Sequence, residues 1–446
     1  MNQRIIQISF RNFLFFFIFT FVFSSCTAQK ATKSSDKNIL LNNKELKNAH
    51  IGICLFDVKA DELKYKYQSD KYFIPASNTK IATCYAALKY LGDSTIGLKY
   101  AETDSTLFIK TTGDPSFLYK PFKNQSVLNW LQTKSAKKIV FINPTFLTTP
   151  YGKGWSWEDF EEPFMAERSA FPMYGNLVQF SYQNGYKTNP KIFESNIVSS
   201  FEASNSDVRF DVTKKLNQNQ FKIIPGKNVV KSIPFTISSN DFFAFRNLLS
   251  SLIKDTLHTE IIFQEDNNQL DFQSLYSQHL DTSLRIMMHT SDNFIAEQIL
   301  LMVSNEKLGL MSDNVMIDSL LKNDFSDLPQ KPKWVDGSGL SRYNLQTPEN
   351  LVEILKRMKS EFDWSRIKLI FPSGNEGTLK PFLSKLNDHV YAKTGSLSNN
   401  FSLSGYLIAK SGKEFIFSIM INNHMTSTLN IKQTIEKYLT TIIDKN

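Results

Sequence analysis

Three short polar motifs, far apart in the chain, constrain the possible fold more than any other feature of the sequence. They are Ser77-Asn78-Thr79-Lys80, Ser291-Asp292-Asn293 and Lys393-Thr394-Gly395-Ser396. The first begins a predicted helix, residues 77–91, and the third lies in a predicted strand, residues 391–396. If the motifs act together, the fold must bring the beginning, the middle and the end of the chain to one cleft.

The first motif pairs a serine with a lysine three positions later. That spacing places Ser77 and Lys80 on one helix face. A serine hydroxyl is a poor nucleophile without a base, and a buried, neutral lysine can serve as that base. The SxxK pattern occurs six more times in this chain, so by itself it is a weak signal.

The second motif is ambiguous. Ser312-Asp313-Asn314 repeats the same tripeptide, and Ser238-Ser239-Asn240 also fits an SxN pattern. Each serine could simply cap a helix. Spacing alone therefore does not choose between Ser291 and Ser312.

The third motif contains the chain's single Lys-Thr-Gly. On an edge strand, Lys393 and Thr394 would face a cleft, and Gly395 would allow a substrate backbone to come close.

Strand patterns occur at both ends of the chain, and helical patterns lie between them. The predicted strands are residues 50–58, 63–67, 391–396, 402–409 and 414–422, and the predicted helices between them are 284–301 and 347–359. A closing amphipathic helix has its apolar positions at Leu429, Ile431, Ile435, Leu439 and Ile442. This order predicts an α/β sandwich in which both ends of the chain share one sheet. Residues 96–275 read as short β-like runs with one helix, 241–254.

The amino terminus has the pattern of an export signal. Arg4 and Arg11 precede an apolar run, residues 13–23, which ends at Ser24-Ser25-Cys26. The run is short for a membrane span and typical of a signal-peptide core. Small residues before Cys26 resemble a bacterial lipobox, which implies cleavage after residue 25 and a lipid on the thiol. An uncleaved anchor and a non-lipidated signal are the alternatives. Residues 26–45 are polar and predict a flexible tether.

Charge and cysteine content exclude several classes of function. The formal net charge is +8, but no run of five or more basic residues occurs, so nucleic acid is not an expected partner. Beyond Cys26, only Cys54 and Cys84 remain, both in apolar surroundings, and we expect buried free thiols. No metal-ligand spacing or nucleotide motif is present, so we expect no metal and no cofactor.

The three motifs, in this chain order, resemble the signature of penicillin-binding proteins and class A β-lactamases. The resemblance narrows to the low-molecular-weight class C penicillin-binding proteins, the D-alanyl-D-alanine carboxypeptidase/endopeptidase family. Four further segments carry it: Gly113-Asp114-Pro115, Gly154-Trp155-Ser156-Trp157-Glu158-Asp159, Asp336-Gly337-Ser338-Gly339-Leu340-Ser341-Arg342 and Glu376-Gly377-Thr378-Leu379-Lys380. Ala296-Glu297, which follows Ser291 but not Ser312, favours Ser291. Asn143-Pro144-Thr145 departs from the family, where a turn with Asp is usual.

The family resemblance implies a β-lactamase/transpeptidase-like catalytic domain formed by residues 46–95 and 276–446, with 96–275 inserted. It implies that Ser77 attacks the carbonyl of a D-Ala-D-Ala terminus or D-amino-acid cross-link, and that Lys80 takes the proton. Ser291 would pass the proton to the leaving amine, and Asn293 would orient Lys80.

The same resemblance assigns substrate contacts. Lys393 and Thr394 would hold the substrate carboxylate. Gly395 and Ser396 would belong to the same substrate-binding strand. Backbone N–H groups of Ser77 and Ser396 would form the oxyanion hole. For residues 336–342, a direct role at the cleft and a structural role remain equally open.

The chain is therefore predicted to be a periplasmic, lipid-anchored serine D,D-peptidase, with peptidoglycan stem peptides as substrate and β-lactams as covalent inhibitors. A β-lactamase or esterase of the same fold is one alternative. A non-catalytic peptidoglycan-binding lipoprotein is the other.

Overall fold

The protein is described from a computed structural model. It covers residues 38–134, 137–182, 185–200, 210–226, 230–237, 242–265 and 270–446. The predicted signal peptide, Cys26 and the first part of the tether lie outside the described residues.

The central sheet has five antiparallel strands in the order β14-β15-β16-β1-β2. Its strands are β1 (His50–Asp57), β2 (Glu62–Tyr67), β14 (Val390–Leu397), β15 (Asn400–Ile408) and β16 (Glu414–Asn422). Because β1 pairs with β16, the two ends of the chain share one sheet, which confirms the prediction. Strand β14, which carries Lys393, is an edge strand.

Helices cover both faces of this sheet. The described helices of this part of the chain are α1 (Asn38–Leu41), α2 (Lys80–Tyr90), α5 (Leu280–Thr290), α6 (Asn293–Leu308), α7 (Asp313–Lys322), α8 (Pro348–Glu361), α9 (Trp364–Ile370), α10 (Lys380–Leu383) and α11 (Thr428–Lys445). Successive residues of β1 point to opposite faces. Cys54 and Phe56 therefore enter the core with α2 and α6, whereas Ile53 and Leu55 enter the core with α11. Burial on both faces explains why β1 reads as a continuous apolar run.

Three details of the predicted elements were wrong. The helix predicted at 77–91 begins as a 3₁₀ turn, Ala76–Thr79, and becomes α-helical only at Lys80. The helical signal at 284–301 is two helices, because Ser291 has a left-handed φ of 59° and Asp292 caps the second helix. Leu429, placed on the apolar face of the last helix, is 59% exposed, since it lies in the first turn beyond the edge of the core.

Residues between α2 and α5 form further sheets. A second five-stranded sheet has the order β12-β5-β4-β3-β13, and two three-stranded sheets have the orders β8-β10-β9 and β11-β6-β7. Their strands are β3 (Ser94–Glu102), β4 (Thr106–Thr111), β5 (Lys138–Ile142), β6 (Leu177–Tyr182), β7 (Tyr186–Asn189), β8 (Ile197–Ser200), β9 (Asp211–Lys214), β10 (Phe221–Ile224), β11 (Val230–Pro234), β12 (Ile261–Gln264) and β13 (Gln273–His279). The predicted helix at 241–254 is α4 (Phe242–Leu257), and the sequence missed a short helix, α3 (Ser126–Gln132).

The two cysteines beyond Cys26 can be compared with their sequence-based expectation. Cys54 and Cys84 are buried free thiols, as predicted. Within the described ranges, no helix combines the length and the apolar character needed to cross a membrane.

Candidate active site

Ser77 lies on a tight turn at the amino end of α2. Ala76, just before it, has a left-handed φ of 48°, a conformation that costs energy for a residue with a side chain. Gly339 packs closely against this turn: a Cβ added at Gly339 would lie 1.9 Å from the Ala76 carbonyl oxygen. This close packing fixes the position of Ser77, whose side chain is half-buried.

The Lys80 side chain is fully buried and reaches three oxygen atoms. Its Nζ donates to Ser77 Oγ at 2.9 Å and to Asn293 Oδ1 at 2.7 Å. It also donates to the Ser338 carbonyl at 2.7 Å. Lys80 therefore connects the first two motifs with the 336–342 segment.

Burial shifts the proton affinity of Lys80. Removal from water lowers the pKa of its ammonium to about 8, although the negative charges of Asp336, Glu297 and Asp292 oppose the change. A useful fraction of this amine is therefore neutral near neutral pH. A neutral amine can keep two N–H bonds, to Asn293 and Ser338, and accept the Ser77 hydroxyl proton with its lone pair.

Ser291 lies in the break between α5 and α6. Its left-handed backbone ends α5, and the Asp292 carboxylate accepts from the Ile295 N–H and starts α6. The hydroxyl of Ser291 is left for another partner: Lys393 Nζ donates to it at 2.9 Å. Asn293, two residues on, is the partner of Lys80 described above.

Lys393, predicted to face a cleft from an edge strand, is fully buried. Two of its hydrogen bonds go to Ser291 Oγ and, at 2.8 Å, to the Thr394 carbonyl. Burial and the nearby charge of Lys80 lower the pKa of Lys393. Thr394 Oγ1 donates to Thr378 Oγ1 at 2.7 Å.

The structure explains why residue 395 is a glycine. A Cβ at this position would lie 2.3 Å from Ser402 Oγ, 2.5 Å from the Pro75 carbonyl oxygen and 3.0 Å from the Ser77 amide nitrogen. The missing side chain thus lets β14 approach the turn that carries Ser77. Ser396, the next residue, is exposed.

The 336–342 segment is organised around the buried carboxylate of Asp336. That carboxylate accepts from the N–H groups of Gly339 and Ser341 and from the side chains of Asn344 and Trp155. The Trp155 contact, 2.9 Å from Nε1 to Oδ2, links two of the segments singled out in the sequence. Asp336 thereby holds the loop whose Ser338 carbonyl accepts from Lys80.

A buried ionic cluster supports the same loop from α6. The Ser338 N–H donates to Glu297 Oε1 at 2.7 Å. Arg168 Nη1 contacts Glu297 Oε2 at 3.3 Å and Asp313 Oδ2 at 2.5 Å, and all three charged side chains are at most 5% exposed. Burial and the charge of Asp336 raise the pKa of Glu297, and Arg168 opposes that rise.

The two identical tripeptides have different surroundings. Ser312 Oγ accepts from the Val315 N–H at 3.4 Å and caps α7, and Asp313 pairs with Arg168. Ser291, in contrast, contacts Lys393 in the cleft. Ser238-Ser239-Asn240 lies outside the described residues.

Several groups at the site were not predicted from the sequence. The Ser338 carbonyl was missed because a backbone oxygen has no residue-type signal. The Asn78 side chain, which donates to the Lys393 carbonyl at 2.8 Å, was missed because it occupies a variable position of SxxK. Arg168 lies outside the sequence segments that carry the family resemblance. Its role in supporting the 336–342 segment becomes visible only in the fold, where its side chain is buried.

A family match and a curated relative both indicate similarity to D-alanyl-D-alanine carboxypeptidases. The D-Ala-D-Ala carboxypeptidase 3 (S13) family matches residues 35–442 of the chain. The D-alanyl-D-alanine carboxypeptidase DacB of Haemophilus influenzae is 24% identical over 445 aligned positions, which cover 88% of this chain and 89% of that protein.

Solved structures share the fold. Penicillin-binding protein 4 (dacB) from Haemophilus influenzae has a TM-score of 0.72 at 21% identity, covering 92% of this chain and 100% of that one. Its structure complexed with a novel β-lactam gives a TM-score of 0.66 at 19% identity with the same coverage. The Bd0816 predatory endopeptidase from Bdellovibrio bacteriovorus has a TM-score of 0.53 at 17% identity, covering 89% of this chain and 94% of that one.

Proposed function

This chain belongs to the D-Ala-D-Ala carboxypeptidase 3 (S13) family of serine peptidases, and on that premise we propose that Ser77 is the nucleophile of its D,D-peptidase reaction. The substrates are D-Ala-D-Ala termini or D-amino-acid cross-links of peptidoglycan stem peptides. The observation that carries the assignment is the 2.9 Å hydrogen bond between Lys80 Nζ and Ser77 Oγ. Carboxypeptidase and endopeptidase relatives support the two kinds of bond.

Acylation begins when neutral Lys80 accepts the Ser77 proton as Ser77 Oγ bonds to the carbonyl carbon of the substrate. Asn293 and Ser338 are the acceptors that keep the amine aimed at Ser77. The lowered pKa of Lys80 favours this proton transfer, because the base is then partly free at the working pH.

The leaving amine needs a proton when the carbon–nitrogen bond breaks. Ser291 is the proposed donor: it accepts from Lys393 Nζ, so its own O–H can point to the leaving nitrogen. A proton from Lys80 restores the Ser291 hydroxyl. Water then hydrolyses the acyl-enzyme and returns the proton to Ser77.

The substrate's terminal carboxylate is assigned to Lys393 and Thr394. The Lys393 ammonium donates to Ser291 Oγ and to the Thr394 carbonyl, and among the described residues it has no carboxylate partner within hydrogen-bond reach. A bound carboxylate would therefore stabilise the charged form of Lys393. The N–H groups of Ser77 and Ser396 are the proposed oxyanion donors, and the missing side chain of Gly395 between them supports that assignment.

Intact-mass analysis with benzylpenicillin tests the nucleophile. We expect one covalent adduct of the mature protein, located on the peptide with Ser77, and none on the Ser77→Ala variant. The β-lactam complex of the Haemophilus influenzae relative supports this choice of probe. A wild-type protein without an adduct, or an adduct on the alanine variant, would contradict the assignment.

Digestion of defined muropeptides tests the substrate. Release of D-alanine from pentapeptide monomers, or conversion of cross-linked dimers to monomers, is expected from wild type and not from Ser77→Ala. Rapid penicillin hydrolysis without either reaction would instead favour a β-lactamase.

The amino-terminal proposal concerns residues outside the described structure. A signal peptide, residues 1–25, directs export to the periplasm, and a lipid on Cys26 anchors the enzyme through the tether 26–45. The apolar run followed by Ser24-Ser25-Cys26 supports it. Mass spectrometry should find a lipidated amino-terminal peptide beginning at Cys26, and Cys26→Ala should release the protein from membranes.

Residues 96–275 are proposed to be an inserted unit within a catalytic domain of residues 46–95 and 276–446. Pairing of β3 with β13 supports the division, because it brings the two ends of the insertion side by side. Limited proteolysis should cut inside 96–275 while the two flanking parts stay associated. Separation of residues 46–95 from 276–446 after such cutting would contradict it.

A further inference from the structure

The insertion contacts the turn that carries Ser291 at two points. The Tyr119 hydroxyl donates to Asp292 Oδ2 at 2.8 Å. Asn293 Nδ2 donates to the Phe164 carbonyl at 3.2 Å. Tyr119 and Phe164 both lie in the insertion, whereas the turn belongs to the catalytic domain. Two of the three residues of the second motif are therefore held by a part of the chain that carries none of the three motifs.

The Asp292 carboxylate uses its two oxygen atoms for different contacts. Oδ1 accepts from the Ile295 N–H at 2.9 Å and starts α6, while Oδ2 accepts from Tyr119. Burial raises the pKa of the Asp292 carboxyl, and the hydrogen bonds from Ile295 and Tyr119 oppose that rise because they favour the charged form. Removal of the Tyr119 hydroxyl would take away one contact and leave the helix cap in place.

The contact with Tyr119 bears on Ser291 because the two motif residues are adjacent. Ser291 has a left-handed φ of 59°, a conformation that persists only where the surrounding structure fixes it. The Oδ1 contact ties Asp292 to the helix that follows it. The Oδ2 contact ties Asp292 to a separate part of the fold, so it restrains the turn itself and not only the start of α6.

Tyr119 is itself held in place by packing on its ring. The ring meets Phe294 edge to face, with 5.9 Å between the centroids. On the side of the insertion, a Cβ added at Gly175 would lie 2.4 Å from Tyr119 Cε2, and Gly175 has a left-handed φ of 67°. A side chain at residue 175 would thus displace the ring. The packing fixes the ring, and with it the hydroxyl that reaches Asp292.

We propose that Tyr119 is a positioning residue of the peptidase reaction, whose hydroxyl holds the turn from which Ser291 protonates the leaving amine. The inference rests on the proposed role of Ser291 as proton donor. It gives the insertion a part in the reaction, although Tyr119 touches no reacting atom. A residue that acts through the proton donor should matter only for leaving groups that need a proton.

Two substrates with the same acyl part separate these cases. In a peptide that ends in D-Ala-D-Ala, the carbon–nitrogen bond breaks as the nitrogen takes the Ser291 proton. In the matching thioester, mercaptoacetate replaces the last D-alanine and keeps the terminal carboxylate. There the carbon–sulfur bond breaks and the sulfur leaves with the electron pair as a thiolate, which needs no proton because the pKa of a thiol is about 8.5.

Tyr119→Phe removes the hydroxyl and keeps the ring. We expect kcat/KM for the peptide to fall about tenfold, a part of what general acid catalysis contributes, and kcat/KM for the thioester to stay at the wild-type value. Tyr100→Phe is the matched control, because it removes a hydroxyl that donates to Gln273 at 2.8 Å elsewhere in the insertion. It should change neither rate. Urea unfolding shows that each variant is folded.

Ser291→Ala, measured beside it, separates this inference from the proposed proton path. A larger loss with the peptide than with the thioester is expected for Ser291→Ala as well. If Ser291→Ala gives that pattern and folded Tyr119→Phe keeps wild-type rates, or loses both substrates equally, the role of Tyr119 is overturned and the proton path stands. If Ser291→Ala also keeps the peptide rate, the proton path is wrong and the role of Tyr119 falls with it.

Discussion

The Asn78 side-chain amide donates a 2.8 Å hydrogen bond to the backbone carbonyl of Lys393. This contact joins the turn of Ser77 to the edge strand of the central sheet, across 315 positions of sequence. An edge strand normally leaves backbone groups unpaired, and here one of them fixes the two halves of the cleft to each other. A second contact, from Ser402 Oγ to the Pro75 carbonyl at 2.7 Å, repeats the connection one strand further in.

Asn78→Ala should therefore slow acylation more than it destabilises the fold. We expect at least a tenfold lower acylation rate with a fluorescent penicillin, because the turn and the strand can separate. The free energy of unfolding should fall by about 1–3 kcal/mol through the lost buried hydrogen bond. Asn129→Ala, on the exposed side of α3, is the control and should change neither. An unchanged acylation rate in a less stable Asn78→Ala protein would refute the positioning role.

The pH dependence of acylation should report the base. Because burial lowers the pKa of Lys80 to about 8, the neutral form grows as pH rises towards that value. The acylation rate should rise by about tenfold per pH unit below it and level off above it. Stopped-flow measurement from pH 5 to 10 would check this. Lys80→Gln should abolish acylation at every pH. Lys89→Gln, in the same helix but paired with Asp324, should keep the wild-type pH profile of acylation. A flat profile in wild type would rule out Lys80 as the base.

The sequence predicted the sheet shared by both chain ends because strand periodicity is local and strong. The apolar runs that became β1, β15 and β16 are buried on both faces, so each is legible without knowledge of its partners. Boundaries at the site were less predictable. The break at Ser291 depends on a single left-handed residue, and the 3₁₀ turn at Ala76 packs against Gly339, which lies in a loop distant in sequence.

The candidate site was predictable where chemistry requires a side chain, and unpredictable where it uses packing or backbone. Ser77, Lys80 and Lys393 have residue types that suggest their chemistry. The Ser338 carbonyl and the buried pairing of Arg168 have no such signal, because both arise only from the folded arrangement.

The Arg168 cluster should be a major source of stability. Arg168→Leu would leave Glu297 and Asp313 buried without a counter-ion, so the free energy of unfolding should fall by about 3–5 kcal/mol. The matched control is Arg285→Leu, whose pair with Glu376 is exposed and should cost less than about 1 kcal/mol. Urea unfolding of both variants gives the comparison. Equal losses would show that burial of the cluster does not matter.

Gly395→Ala should damage the site with little effect elsewhere. Its new Cβ would collide with the Pro75 carbonyl and Ser402 Oγ and push β14 away from Ser77. We expect at least a hundredfold lower acylation rate. Gly412→Ala is the control: it also changes a glycine to alanine, at φ 82° with open space around it. It should cost about 1 kcal/mol of stability and leave acylation unchanged. Normal acylation by Gly395→Ala would show that the close approach is dispensable.

Ser291→Ala and Ser312→Ala compare two serines of identical local sequence in different surroundings. Ser291 Oγ accepts from Lys393 and makes no capping bond, since Asp292 caps α6. Its loss should lower acylation and substrate turnover by about 10²-fold or more, because the leaving amine has no proton donor, while the unfolding free energy changes little. Ser312 caps α7, so its loss should cost about 1 kcal/mol and leave turnover at the wild-type level. Turnover of a D-Ala-D-Ala peptide and urea unfolding, measured on both variants, separate the two effects. If both variants lost stability alone, Ser291 would be a structural residue and the proton path would have to run through another group.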